Sequence, residues 1–316
     1  MGHRSPKEQY EGEASWQLIE HDAGTWLLQG GLAALALTLG FTASPAAAAP
    51  PPPVTYVALG DSYTAGTGAG ALSRPPVACW QSPGGYVDLA DASPKVTLVA
   101  NLACHGAVLF PVPPFYDGVT PTVAEQILAG QQALADADLV SITAGAVDAG
   151  SGLALQACAT PNTQLCADTV TAIIQNLQTG TLQTAMATTY QAIQMSAPDA
   201  VIAVFGYPRL FDPSQGDIVI NGITNVPVQN QILVNQAIDA LNATIAAAVE
   251  SSGTNAVFID VTKRFLGHAV NSDNPWIVLD LTQPLLDANF HPNDAGHQAY
   301  ASVLLSTIKP SQLARR

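Results

Sequence analysis

The stretch VTYVALGDSYTAG, residues 54–66, decides how the rest of the chain is read. Six β-rich residues run without alternation up to Gly60, the pattern of a strand buried on both faces of a parallel sheet. An acid and a serine follow at once. Gly-Asp-Ser is good turn chemistry by itself, so the triplet fits a plain turn as well as a raised nucleophile. The remaining sequence has to separate the two.

Four further runs of the same kind recur at wide intervals, over residues 96–102, 138–143, 200–205 and 256–261. Helical spacing lies between and after them. Residues 121–135 open after a Thr-Pro step. Residues 228–249 place Val234, Ile238, Leu241, Ile245 and Val249 on one stripe, and residues 294–308 bury Tyr300, Val303, Leu304 and Ile308. Strand alternating with helix predicts an α/β three-layer α/β/α sandwich on a five-stranded parallel sheet, with right-handed crossovers. One domain over 54–310 and a short tail over 311–316 are expected, with longer loops at 72–83 and 150–167.

The chain has 316 residues, with 10 Lys+Arg against 24 Asp+Glu. Such an acidic surface repels phosphate backbones, so nucleic acid is not an expected partner. Residues 1–53 read as a leader: an apolar core at 25–43 runs into SPAAAAPPPP, suited to cleavage near Ala49 and followed by a polyproline spacer. Five acids precede that core where basic residues are usual, and 19 apolar residues also suit a retained anchor. Cleavage and export, with no lasting membrane insertion, is the reading adopted. The 4 cysteines agree with export. Cys79–Cys104 with Cys158–Cys166 is the simplest of three disulfide pairings, four buried thiols being the alternative. No CxxC or Cys/His cluster has zinc spacing, so no metal and no cofactor are expected.

In open α/β sheets ligands sit beyond the carboxyl ends of the strands. Ser62 follows the first strand, His105 and Gly106 the second, Gly145 to Asp148 the third, and Gly206 to Arg209 the fourth. His291 precedes the last helix. A serine and a histidine at opposite ends of the chain can therefore meet on one rim. Nucleophilic catalysis needs that imidazole to take the hydroxyl proton, and a third group to fix its tautomer. Asp287, four positions upstream, is a candidate. Capping of the final helix is the plain alternative for His291.

GDSYTAG after the first strand and FHPNDAGHQAYA before the last helix resemble the GDSL, or SGNH, serine esterases and lipases. CWQSPGGYVDLA, NLACHGA, ADLVSITAGAVDAG and VIAVFGYPRLF extend the resemblance to the secreted actinobacterial branch, in order, over nearly all of the chain after Pro53. The resemblance implies a flavodoxin-like sheet. Ser62 matches the nucleophile, and its amide and that of Gly106 match two oxyanion donors. His291 matches the general base, while Asp61 holds the turn. Two positions depart from the pattern. Val147 stands where the family has an asparagine whose side chain donates to the oxyanion, and valine cannot donate. Ala288 stands at the usual aspartate position, leaving Asp287 or a backbone carbonyl to orient the histidine.

Other features are weaker. Gly66 to Ala71 matches GxGxxA, but six residues too late for a dinucleotide loop, so a mobile loop beside the site is expected. His105 is a pocket or structural residue, and His297 caps or packs. Trp80 and residues 109–115 could wall an acyl site or simply pack. The function expected is an exported serine hydrolase acting as a monomer on small carboxylic esters or lipids, with an acyl-enzyme intermediate. An inactive descendant binding acyl or glycan ligands and a carbohydrate acetyl esterase are the alternatives. An ordinary imidazole as base implies activity rising through roughly pH 6–7.

Overall fold

A computed structural model describes residues 52–70, 79–283 and 286–313. The expected leader through residue 51, most of the 72–83 loop and the last three residues lie outside the described residues. The expected strands form β1 (Val54–Gly60), β2 (Val96–Asn101), β3 (Leu139–Thr143), β4 (Val201–Phe205) and, last in the chain, β7 (Ala256–Ile259). They make one parallel sheet in the order β2-β1-β3-β4-β7. Its central strands carry no alternation because both faces are covered: every residue of β3 is buried, and in β1 all but Thr55 are.

Around the sheet lie α1 (Tyr86–Asp91), α2 (Val123–Ala129), α3 (Gln131–Ala135), α4 (Ser151–Cys158), α5 (Thr163–Gln178), α6 (Thr181–Ser196), α7 (Val228–Ser252), α8 (Asp294–Ile308) and α9 (Pro310–Leu313). The architecture is the expected three-layer α/β fold. Helices α1 and α8 pack together, while α7 packs against α5 and α6. The single helix expected over 121–135 is two, broken at Gly130. A capping box between Thr122 and Glu125 starts α2, and Gln126 ties it to the sheet. Its buried side chain donates to the Gly60 carbonyl and accepts from the Gly60 amide, fastening the helix to the end of β1.

The expected loop over 150–167 is largely helical. Helix α4 and the first turn of α5 occupy it, and Cys158–Cys166 joins them. Cys79–Cys104 is the second disulfide. A two-stranded antiparallel hairpin, β5 (Ile218–Ile220) and β6 (Ile223–Val226), had not been expected. Asn221 and Gly222 turn it with positive φ, 51° and 78°, the geometry an Asn-Gly pair between apolar runs specifies.

Candidate active site

Leaving β1 the chain runs next to β2 on one side and later to β3 on the other, so a crevice opens beyond the carboxyl ends of β1 and β3. Ser62 sits there. Gly60, with φ 125°, makes the approach possible, since a Cβ on it would stand 2.1 Å from the Thr143 carbonyl oxygen. The turn is then stapled to β3. The Asp61 amide donates to the Thr143 carbonyl at 2.9 Å, and Thr64 exchanges bonds with Thr143 through hydroxyls and amides.

Asp61 is the keystone of that turn, as the sequence led us to expect. Its buried carboxylate accepts from the Tyr63 amide at 3.1 Å, the Thr143 hydroxyl at 2.6 Å and the Tyr207 hydroxyl at 2.5 Å. Burial raises its pKa to about 6 against the pull of those donors. Every oxygen is committed to holding neighbours, which leaves Asp61 no part in attacking a substrate. Asn242 in turn brackets Tyr207, accepting from its amide and donating to its carbonyl, each at 2.8 Å.

His291 reaches the serine from the other end of the chain. Its Nε2 lies 2.7 Å from Ser62 Oγ. Three contacts fix the segment that carries it: Val278 bonds both sides of the histidine, Tyr63 donates to the Phe290 carbonyl at 2.7 Å, and Gly68 lets Pro292 approach its backbone. Of the glycines read as a GxGxxA match, Gly68 thus serves close backbone packing against the histidine segment, while Gly66 packs against Gly85 and the Ser82 carbonyl. The His291 Nδ1 faces the Asn289 carbonyl oxygen at 2.9 Å. Of the two orienting groups expected, the ring is met by a carbonyl; Asp287 adds to its field through its own backbone carbonyl. Burial, helped by His105, pulls His291 down to about 3, with those carbonyls opposing.

Asn289 escaped the sequence reading. Its side chain accepts from the Asp280 amide and donates to the Asp280 and Gln283 carbonyls, so the carbonyl facing His291 belongs to an anchored residue. No sequence motif marks a residue that acts through its backbone.

Ser62 and Gly106 line one cleft with His291, and the amides of Ser62 and Gly106 meet no protein acceptor among the described residues. Asp148 positions the Gly106 loop by accepting from the Leu109 amide at 3.0 Å, and burial lifts its pKa to about 6. Val147 lines the same cleft with an aliphatic side chain. His105 also borders it, bonded through Nδ1 to Thr67 Oγ1 at 2.9 Å and stacked on Trp80. His297 is buried on α8, between the Tyr86 amide and the Thr67 carbonyl, and is a packing residue. Residues 109–115 and Trp80 do not line the cleft. Its apolar wall comes instead from Leu155 of α4, Leu210, and Ile238 and Leu241 of α7.

Comparison with known proteins bears on the fold and the family. A lipase of Streptomyces rimosus is 33% identical over 268 residues, spanning 84% of this chain and 91% of the relative. Lipase 1 of Streptomyces coelicolor is 29% identical over 284 residues, 88% and 97% of the two chains. The crystal structure of the extracellular Streptomyces rimosus lipase superposes with a TM-score of 0.66 at 29% identity, over 80% of this chain and 99% of that one. Phospholipase A1 of Streptomyces albidoflavus gives 0.67 at 27% identity, over the same shares. The model of the GDSL-like lipase/acylhydrolase family matches residues 58–299. The chain therefore belongs to the GDSL-like lipase/acylhydrolase family and is a carboxylic ester hydrolase.

Proposed function

We propose that Ser62 and His291 are the catalytic pair of an exported lipase or esterase working through an acyl-enzyme. The 2.7 Å contact between Ser62 Oγ and His291 Nε2 carries this reading. Nε2 takes the hydroxyl proton as Oγ attacks the ester carbonyl. The oxyanion settles on the amides of Ser62 and Gly106, which have no protein acceptor to leave among the described residues. The imidazolium gives its proton to the departing alkoxide, and water repeats the sequence on the acyl-serine. Export is supported by the leader-like residues 1–53 and two disulfides, and by the extracellular relative. A monomer acting on a small ester substrate remains the expectation. The purified protein should be labelled at Ser62 by a fluorophosphonate probe and should hydrolyse a p-nitrophenyl ester, and Ser62→Ala should do neither. A wild type that does neither would sink the proposal.

Acidity supplies a second check. A base must be neutral, and lowering its pKa keeps it neutral to lower pH. The acid limb of kcat/KM should therefore move from the about 6.5 of an ordinary imidazole toward about 3. The fold should allow the measurement. His291 and His297, held down to about 3 and about 4, cost stability as pH falls from the unfolded value of about 6.5. Asp61 and Asp148, raised to about 6, act oppositely: their contribution is full below an unfolded value of about 3.9 and is lost as pH rises through about 6. The two pairs offset each other between about pH 4 and 6. An acid limb centred at about 6.5 in folded protein would contradict the buried, carbonyl-held imidazole.

A further inference from the structure

Behind the apolar wall of the cleft lies a second cavity of about 60 Å³, lined almost wholly by carbon. Leu155, Leu210, Ile238 and Leu241 line both spaces, so one layer of side chains separates them. Its far side is Ala154 of α4, Ile173 of α5, and Val234 and Ala237 of α7. Leu155 and Ile238 are only half-buried, whereas the chamber's frame is fastened. The disulfide Cys158–Cys166 ties the end of α4 to α5, and the buried Asn230 of α7 donates to the Cys158 and Thr160 carbonyls at 3.0 and 2.8 Å. None of residues 289–291 lines the chamber. A leaving alcohol must stay within reach of His291 Nε2, so the chamber lies on the acyl side of the scissile bond.

The geometry points to a two-compartment acyl site, in which the fatty chain of a medium-length or longer ester passes between Leu155 and Ile238 and ends against Ala154 and Ala237. This rests on the Ser62–His291 reading. The small side chains at 154 and 237 set chain length, because a larger residue at either place fills the chamber without entering the cleft.

In a p-nitrophenyl ester series, measured below the aggregation limit, kcat/KM should rise about three- to fourfold for each methylene that enters the chamber. Ala237→Phe, and separately Ala154→Leu, should cut the decanoate-to-butyrate ratio of kcat/KM by about tenfold, the worth of roughly two methylenes. Val234→Ala should move the optimum to longer chains. Leu153→Ala, on the exposed side of α4, should leave the ratio as it is. Fluorophosphonate labelling counts intact sites in every variant, so a loss of folded protein is not read as a change of preference. If all three chamber variants keep the wild-type ratio, or if they respond instead to the length of the alcohol in an acetate series, the acyl chamber is wrong while the enzyme stands. An unlabelled, inactive wild type would remove the enzyme reading itself.

Discussion

His291→Ala should lower kcat/KM by about 10⁴- to 10⁶-fold, whereas Asp287→Ala should stay within about threefold of wild type. The first loss follows from position: Nε2 at 2.7 Å is the proton acceptor that Ser62 meets among the described residues. The second follows from the other face of the ring, where Nδ1 meets the Asn289 carbonyl at 2.9 Å. A carbonyl oxygen only accepts, so it fixes the proton on Nδ1 and leaves Nε2 bare for the serine. Asp287→Ala keeps the backbone carbonyl through which that residue acts on the ring. Were the carboxylate the orienting group, its removal would present the wrong tautomer and cost about 10⁴-fold. Steady-state kinetics on the two variants separate these outcomes by orders of magnitude. Asn289→Ala adds a graded test. It keeps the carbonyl but removes three bonds of the side chain that anchors it, so kcat should fall while fluorophosphonate still labels the serine slowly.

The sheet and the meeting of Ser62 with His291 were legible because both depend on side-chain pattern. Unbroken β-rich runs exist only where two faces are buried, and Ser62 and His291 stand where such runs or the last helix place them. Helix α6 was equally open to reading: Leu182, Met186, Tyr190 and Ile193 recur at helical spacing and are buried. Helix α4 is harder. Its buried residues, Ala154, Ala157 and Cys158, are small, and small residues leave little hydrophobic contrast between faces. Those same alanines make room for the chamber, whereas Trp80 and the 109–115 segment carry the bulky apolar side chains that suggest an acyl wall in the sequence. Bulky apolar residues attract attention as binding surface, while a cavity is made by small ones. The orienting carbonyl of Asn289 and the amides of Ser62 and Gly106 have no side-chain signature, and only the folded backbone reveals their aim.

Val147→Asn should raise kcat by up to about 10²-fold, with a smaller change in KM. Val147 lines the cleft with Ser62 and Gly106, at the position that the sequence resemblance matches to the family's donor asparagine. The turn that carries it is already rigid. Gly150 donates to the Val147 carbonyl, Ser151 to that of Ala146, and Asp148 ties the turn to the Gly106 loop through the Leu109 amide. A new amide there would start from a fixed base, so its donor would be preorganised toward the oxyanion. The need for it is electrostatic. Attack at Ser62 creates an oxyanion and an imidazolium together, and here the imidazolium is held by carbonyl dipoles while burial disfavours its charge. With two amides proposed for the oxyanion and a carbonyl dipole at Nδ1 of the ring, each added donor should count strongly in the transition state and little in the ground state, which places the gain in kcat. An unchanged kcat would mean that another group already donates at that place. The Ser151 hydroxyl, on the cleft wall at the start of α4, would be the group to remove next, and Ser151→Ala should then lower kcat in the wild type and be rescued by Val147→Asn.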